Sequence, residues 1–170
     1  TAMALYVLLQ HVNKSVAMTM LVFVALSAGI TTLNAVFQFE GLQVATNSSY
    51  TAAFGAAGSN ALVLLLLDIQ HYGTLAAEVF FGLWLAPLGY LAYKSGLFSK
   101  VLGVTLVAAA ACYMVHLTTA FLVPDFHNQI NPFIVPVFAI AEIWMVLYLL
   151  VVGVKTVIPG KEILAAGAAA

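Results

Sequence analysis

Four side chains in this sequence could do chemistry if they meet: His71, Glu78, His116 and Glu142. Each interrupts an otherwise apolar stretch. An ionisable group well inside a membrane segment costs about 2.5–3.5 kcal/mol on insertion scales and is read as functional by default. Asp68 precedes His71 and Glu78 on the same stretch. At about 100° per residue, Asp68, His71, Glu78, Gly82 and Gly89 fall within a sector of roughly 80°. Polar and small residues therefore share one stripe, in which glycines admit a neighbouring helix and polar groups stay away from lipid.

Three chemistries suit such a set. Imidazole and carboxylate ligands fit zinc or iron, with His71, Glu78, His116 and Glu142 as the candidate ligands. The Glu-x-x-His pairing of helical di-iron proteins is missing, which weakens that reading. His71 or His116 could instead be the axial ligand of a haem or chlorophyll-type ring. The third option is a protonatable relay or solute path built on Glu78. Against all three stands a satisfied packing network, with Glu78 bonded to a neighbouring helix and Asp68 and His71 near water. The sequence has no phosphate-binding glycine loop, no HExxH and no GxSxG, so no residue is assigned a catalytic role.

These residues need elements to position them, and composition says which. Apolar residues make up 64% of the 170 residues and charged residues 6%, with mean hydropathy +1.10. A soluble domain carries about 25% charged residues, so this chain is built for a lipid bilayer. Net charge is −1 and arginine is absent, which excludes a basic footprint for nucleic acid. The lone Cys112 forms no internal disulfide and reads as a small apolar residue of a span.

The fold class is all-α, a single transmembrane helical domain over residues 1–170. A full span takes about 20 apolar residues. Segments 15–37, 60–93, 100–122 and 133–156 qualify, and 2–9 reads as the last turns of a partial span. Ser15 is the expected cap of the second segment. Residues 43–60 read as an external loop with room for a short surface helix, with Ser95-Gly96 and 124–132 as turns and Pro132 opening the last helix. The segment 60–93 is too long for one perpendicular crossing, so it is expected to tilt or to project.

Lysines orient the chain, because cytoplasmic loops collect basic residues. With alternating spans, Lys14, Lys94, Lys100, Lys155 and Lys161 all fall on one face, placing the C-terminus in the cytoplasm and the chain in a bacterial inner membrane. Counted at about 1.5 Å per residue, Glu78, His116 and Glu142 lie roughly 9–14 Å below the outer surface, with His71 just above and Tyr113 one turn from His116. One outward-facing pocket is the expectation.

The runs His71-Tyr72-Gly73, Phe80-Phe81-Gly82-Leu83, Leu88-Gly89-Tyr90 and Leu102-Gly103-Val104, with Ala141-Glu142 and Gly153-Val154, resemble an uncharacterised family of bacterial multi-pass membrane proteins, domain of unknown function 4386. The resemblance covers nearly the whole chain. It implies six spans with both ends cytoplasmic, of which this chain would lack the first and much of the second. Ser99-Lys100 stands where members often carry Pro-Arg after the turn. The family brings no activity with it. The leading reading is an accessory subunit that meets other membrane-protein subunits, with a small transporter or proton-conducting protein using Glu78, and a metal or tetrapyrrole protein using His71 and His116, as alternatives.

Overall fold

A computed structural model describes residues 1–154 of the chain. It contains α1 (Ala2–Leu9), α2 (Lys14–Thr46), α3 (Ser48–Ser95), α4 (Lys100–Leu122) and α5 (Pro124–Val151), and no strand among the described residues. Lys155, Lys161 and the end of the last expected span at residue 156 lie outside the described residues. Helices α2 to α5 are each long and apolar enough to cross a bilayer. The eight residues of α1 are not.

Two expectations about connections are corrected. Residues 43–60 do not form a loop: α2 continues to Thr46 and α3 begins at Ser48, with Asn47 alone between them. The loop-like residues serve as punctuation. Asn47 accepts from the Ser49 backbone N–H at 3.0 Å as a helix cap, and Gly55, at φ 71°, makes the one break inside α3. Packing between α2 and α3 overrides the weak helix propensity of the rest. Residues 124–132 are likewise the first turns of α5. Pro124 opens that helix and Asp125 occupies its first turn, where a missing N–H is harmless and a negative charge favours the helix dipole. Pro132 therefore sits inside α5, not at its start. Asn13, two residues before the expected Ser15, caps α2 by accepting from the Val16 N–H at 3.1 Å.

Consecutive long helices pack side by side, α2 on α3, α3 on α4 and α4 on α5, and α1 lies against α2 and α3. The α3–α4 seam is the tightest. A Cβ placed on Gly89 would come within 2.6 Å of the Gly103 carbonyl oxygen, and one on Gly103 within 2.8 Å of the Gly89 oxygen. The two backbones therefore touch. Around this crossing Leu85, Leu88, Leu91, Leu102, Leu106 and Phe98 are fully buried. Further along, a Cβ on Gly82 would meet the Tyr113 side chain at 2.6 Å.

A polar pin joins α2 to α3. Asn34 is buried; its amide donates to the Gln70 carbonyl at 2.6 Å and to the Thr74 hydroxyl at 3.1 Å. Gly73 makes room for it, since a Cβ there would overlap the Asn34 amide.

The start of α2 at Lys14, the end of α3 at Lys94 and the start of α4 at Lys100 gather at one end of the bundle. At the other end the helices differ in reach. Tyr72 of α3 lies beside Phe121, next to the last residue of α4, with ring centroids 6.4 Å apart. From Ala56 to His71, α3 thus runs on past α4 for roughly 16 residues, or about 24 Å. The last turns of α2 accompany it, with Gly41 against Leu66 and Leu67. The α2–α3 hairpin projects beyond the rest of the bundle with Phe39, Leu42, Leu64 and Leu65 exposed.

The seam makes a prediction. Gly89→Ala should destabilise the protein by about 1–3 kcal/mol through overpacking against backbone. Gly29→Ala, where a Cβ meets nothing within 4 Å, should be neutral or stabilising. Thermal unfolding of the two purified variants decides it, and equal midpoints would remove the packing role given to Gly89.

Candidate functional site

The α3–α4 seam brings Glu78 and His116 face to face, one turn of α3 beyond Gly82. His116 Nε2 lies 3.6 Å from Glu78 Oε2. The His116 side chain is 9% exposed and the Glu78 side chain 31%. One turn of α4 nearer the lysine end, the Tyr113 hydroxyl donates to Glu142 Oε1 of α5 at 2.6 Å. Tyr113 is fixed by aromatic packing: Phe138 stacks on it at a centroid distance of 4.0 Å, and Phe81 meets it edge-on at 5.8 Å. Phe138 also meets the His116 ring edge-on at 5.7 Å. Each of these half-buried carboxylates thus faces one specific partner on α4.

Beyond Glu78 and His116 lies a polar cavity of about 320 Å³ between α3, α4 and the first turns of α5. His71, Thr74 and Glu78 line it from α3, His116 from α4, and His127 and Asn131 from α5. The His127 ring lies 4.7 Å from the His116 ring, centroid to centroid, and its Nδ1 is 3.2 Å from the Thr119 hydroxyl. Three buried polar atoms of the lining have no hydrogen-bond partner: Glu78 Oε2, His116 Nδ1 and Asn131 Oδ1. A buried polar atom left unpaired costs roughly 1–3 kcal/mol. Three around one cavity mark it as a place where water or a ligand completes the bonding.

Of the residues singled out in the sequence, His71, Glu78 and His116 share this cavity, but His71 is exposed, so its place in a buried cluster is corrected to the cavity's outer lining. Glu142 is separated from it by its bond to Tyr113, and borders a second, apolar cavity with Phe81, Trp84, Leu85 and Met145. Asp68 is exposed; it stands on the projecting part of α3, and its place in the buried cluster is corrected. Gly82 and Gly89 both face α4. Among the described residues no three His, Cys, Asp or Glu side chains come close enough together to hold a metal ion. The set His71, Glu78, His116 and Glu142 therefore does not assemble as a ligand sphere in this arrangement.

His127 and Asn131 are the site residues that the sequence reading leaves in a turn. A signal for them exists. They are four residues apart and so on one face of a helix, and Pro124-Asp125 just upstream is a helix start.

No curated protein and no solved structure matches the chain. A family match spans residues 1–153, to the domain of unknown function DUF4386, in keeping with the motifs around His71, Gly82, Gly89 and Glu142. The four long apolar helices and this match together place the chain in that family as a multi-pass integral membrane protein: it belongs to DUF4386.

Proposed function

We propose that this protein is an accessory subunit of a larger membrane complex, and that the projecting α2–α3 hairpin is its assembly surface. One observation carries the reading: α3 runs on past the end of α4 with large apolar side chains uncovered. The hydrocarbon core of a bilayer is matched by about 20 helical residues, and α4 alone has 23. The stretch of α3 from Ala56 to His71 would then stand in or above the headgroups. There Leu64 is 63% and Leu65 54% exposed, beside Phe39 and Leu42 of α2. Leaving a Leu in water forgoes about 1.5–3 kcal/mol relative to burial, and apolar side chains exposed together mark a contact with protein or membrane, of which we take the protein contact because this stretch stands beyond the end of α4. The partner we propose is an apolar helical surface of another subunit, rising from the same bilayer.

The same proposal fixes direction. With Lys14, Lys94 and Lys100 at one end of the bundle, the positive-inside bias puts that end in the cytoplasm of the bacterial inner membrane, with the hairpin outside. Inner-membrane placement and the cytoplasmic C-terminus both follow from this reading. A second reading, a relay or small transporter using Glu78, draws support from the Glu78–His116 pair at a cavity. The inner half below that pair is closed by the Gly89–Gly103 contact and buried leucines, so any through-path would have to run elsewhere.

Three outcomes test these readings. A photo-crosslinking residue at Leu64 or Leu65 should give one discrete protein adduct in intact cells that the same residue at lipid-facing Val146 does not. Leu65→Lys should abolish that adduct while the protein still folds; crosslinks only to lipid, with a monomer in native nanodiscs, would overturn the assembly reading. Single cysteines at Ser49 and Ser99, in a Cys112→Ala background, should label oppositely in whole cells with an impermeant maleimide, Ser49 reacting and Ser99 protected. For the second reading, Glu78→Gln in reconstituted vesicles should abolish any proton or cation flux, and flux equal to the parent protein removes the relay.

A further inference from the structure

The lining of the polar cavity has a chemical bias that points to a class of ligand. All three of its unpartnered buried atoms can accept, the imidazole nitrogen in one of its two neutral tautomers. Glu78 Oε2 and Asn131 Oδ1 are oxygens. His116 Nε2 lies 3.6 Å from Glu78 Oε2, beyond hydrogen-bond length; in the neutral tautomer with its proton on Nε2, toward the carboxylate, Nδ1 is the lone-pair nitrogen. The His116 side chain is more than nine-tenths buried, so bulk water does not satisfy Nδ1. Among the described residues no permanent cation lines the site either. The chain has no arginine, and Lys14, Lys94 and Lys100 all lie at the opposite end of the bundle.

A site of converging acceptors around one carboxylate, with no lysine or arginine among the described residues that line it, is complementary to a small positively charged donor. Tyr72 at the rim adds an aromatic ring, whose face attracts cations by up to about 1 kcal/mol where exposed. The space, about 320 Å³, is at the small end of ligand pockets. A bare metal ion is the poorer fit, since no three ionisable ligands gather among the described residues.

We propose that this cavity binds an ammonium ion or a short protonated primary amine, with Glu78 supplying the charge and His116 Nδ1 and Asn131 Oδ1 accepting its N–H groups. The proposal is independent of the assembly reading, because it rests on the cavity and not on the hairpin. It requires no flux.

Purified protein in lipid nanodiscs, titrated with methylammonium chloride, tests it. The readouts are calorimetry and the ligand-dependent rise in unfolding temperature that follows when only the folded state binds. Methylammonium should bind and tetramethylammonium, which has the same charge and no N–H donor, should not. Glu78→Gln should weaken methylammonium binding roughly tenfold or more, the loss expected for a charged hydrogen bond. Asn131→Asp, which adds a second carboxylate to the lining, should tighten it several-fold, and this gain keeps the test decisive if the Glu78 variant folds poorly. Equal response to the two cations, stabilisation by acetate instead of either cation, or no binding by the parent protein and by Asn131→Asp would each overturn the proposal.

Discussion

The backbone contact between Gly89 and Gly103 is the constraint on which the rest of this bundle depends. It sets how closely α3 and α4 approach and at what register, and the register decides which side chains oppose each other for the remainder of both helices. Moving three turns along α3 from Gly89 reaches Glu78; moving between three and four turns along α4 from Gly103 reaches His116. These two meet at 3.6 Å because the glycines allow it. A side chain at either glycine would push the helices apart where the polar pair needs them together.

The polar groups follow from the same constraint. In lipid a carboxylate has no water to turn to, so each must face a partner within the bundle or a wet cavity. Glu142 does the first, through a 2.6 Å bond from Tyr113. Glu78 does the second, with one neighbour in His116 and an open side toward the cavity. The two carboxylates lie on different helices with α4 between them, each using a different residue of that helix. One is closed and structural. The other leaves acceptors unpaired.

Much of this was legible in the sequence, and the limits have physical causes. Composition and apolar run length gave the helical class, because a bilayer imposes both. The glycine and polar stripe of α3 was readable from helical periodicity, and Gly82, Gly89 and Glu78 do face α4. Asp68 shares that stripe by angle yet is exposed, since periodicity carries no information about where the facing helix stops. Residues 43–60 and 124–132 misled for another reason. Their Asn, Ser, Gly and Pro are turn formers by propensity, but Asn47 and Pro124 act as helix starts. The role of Asn34 as a pin between α2 and α3 was hidden because nothing in α2 announces that Gly73 lies opposite it.

One helix ties the features together. From Ala56 to Ser95, α3 runs without a break in helical geometry. Its first turns form the projecting apolar face; the turns around His71, Thr74 and Glu78 wall the cavity; Gly82 and Gly89 lock it to α4; Lys94 lies in its last turn. A helix is stiff over this length, so the upper part has no hinge of its own. Between Leu65 and the glycine seam, the Asn34 pin at Gln70 and Thr74 is the point at which α2 holds this helix. The cavity wall contributed by α5 is held differently. His127 and Asn131 sit on a short stretch ahead of Pro132 and Pro136, each of which lacks the N–H that would continue the helical ladder. The cavity therefore has one wall fixed by close backbone packing to α4 and one on a proline-containing helix, and unpaired oxygens stand on both, Glu78 Oε2 on the first and Asn131 Oδ1 on the second.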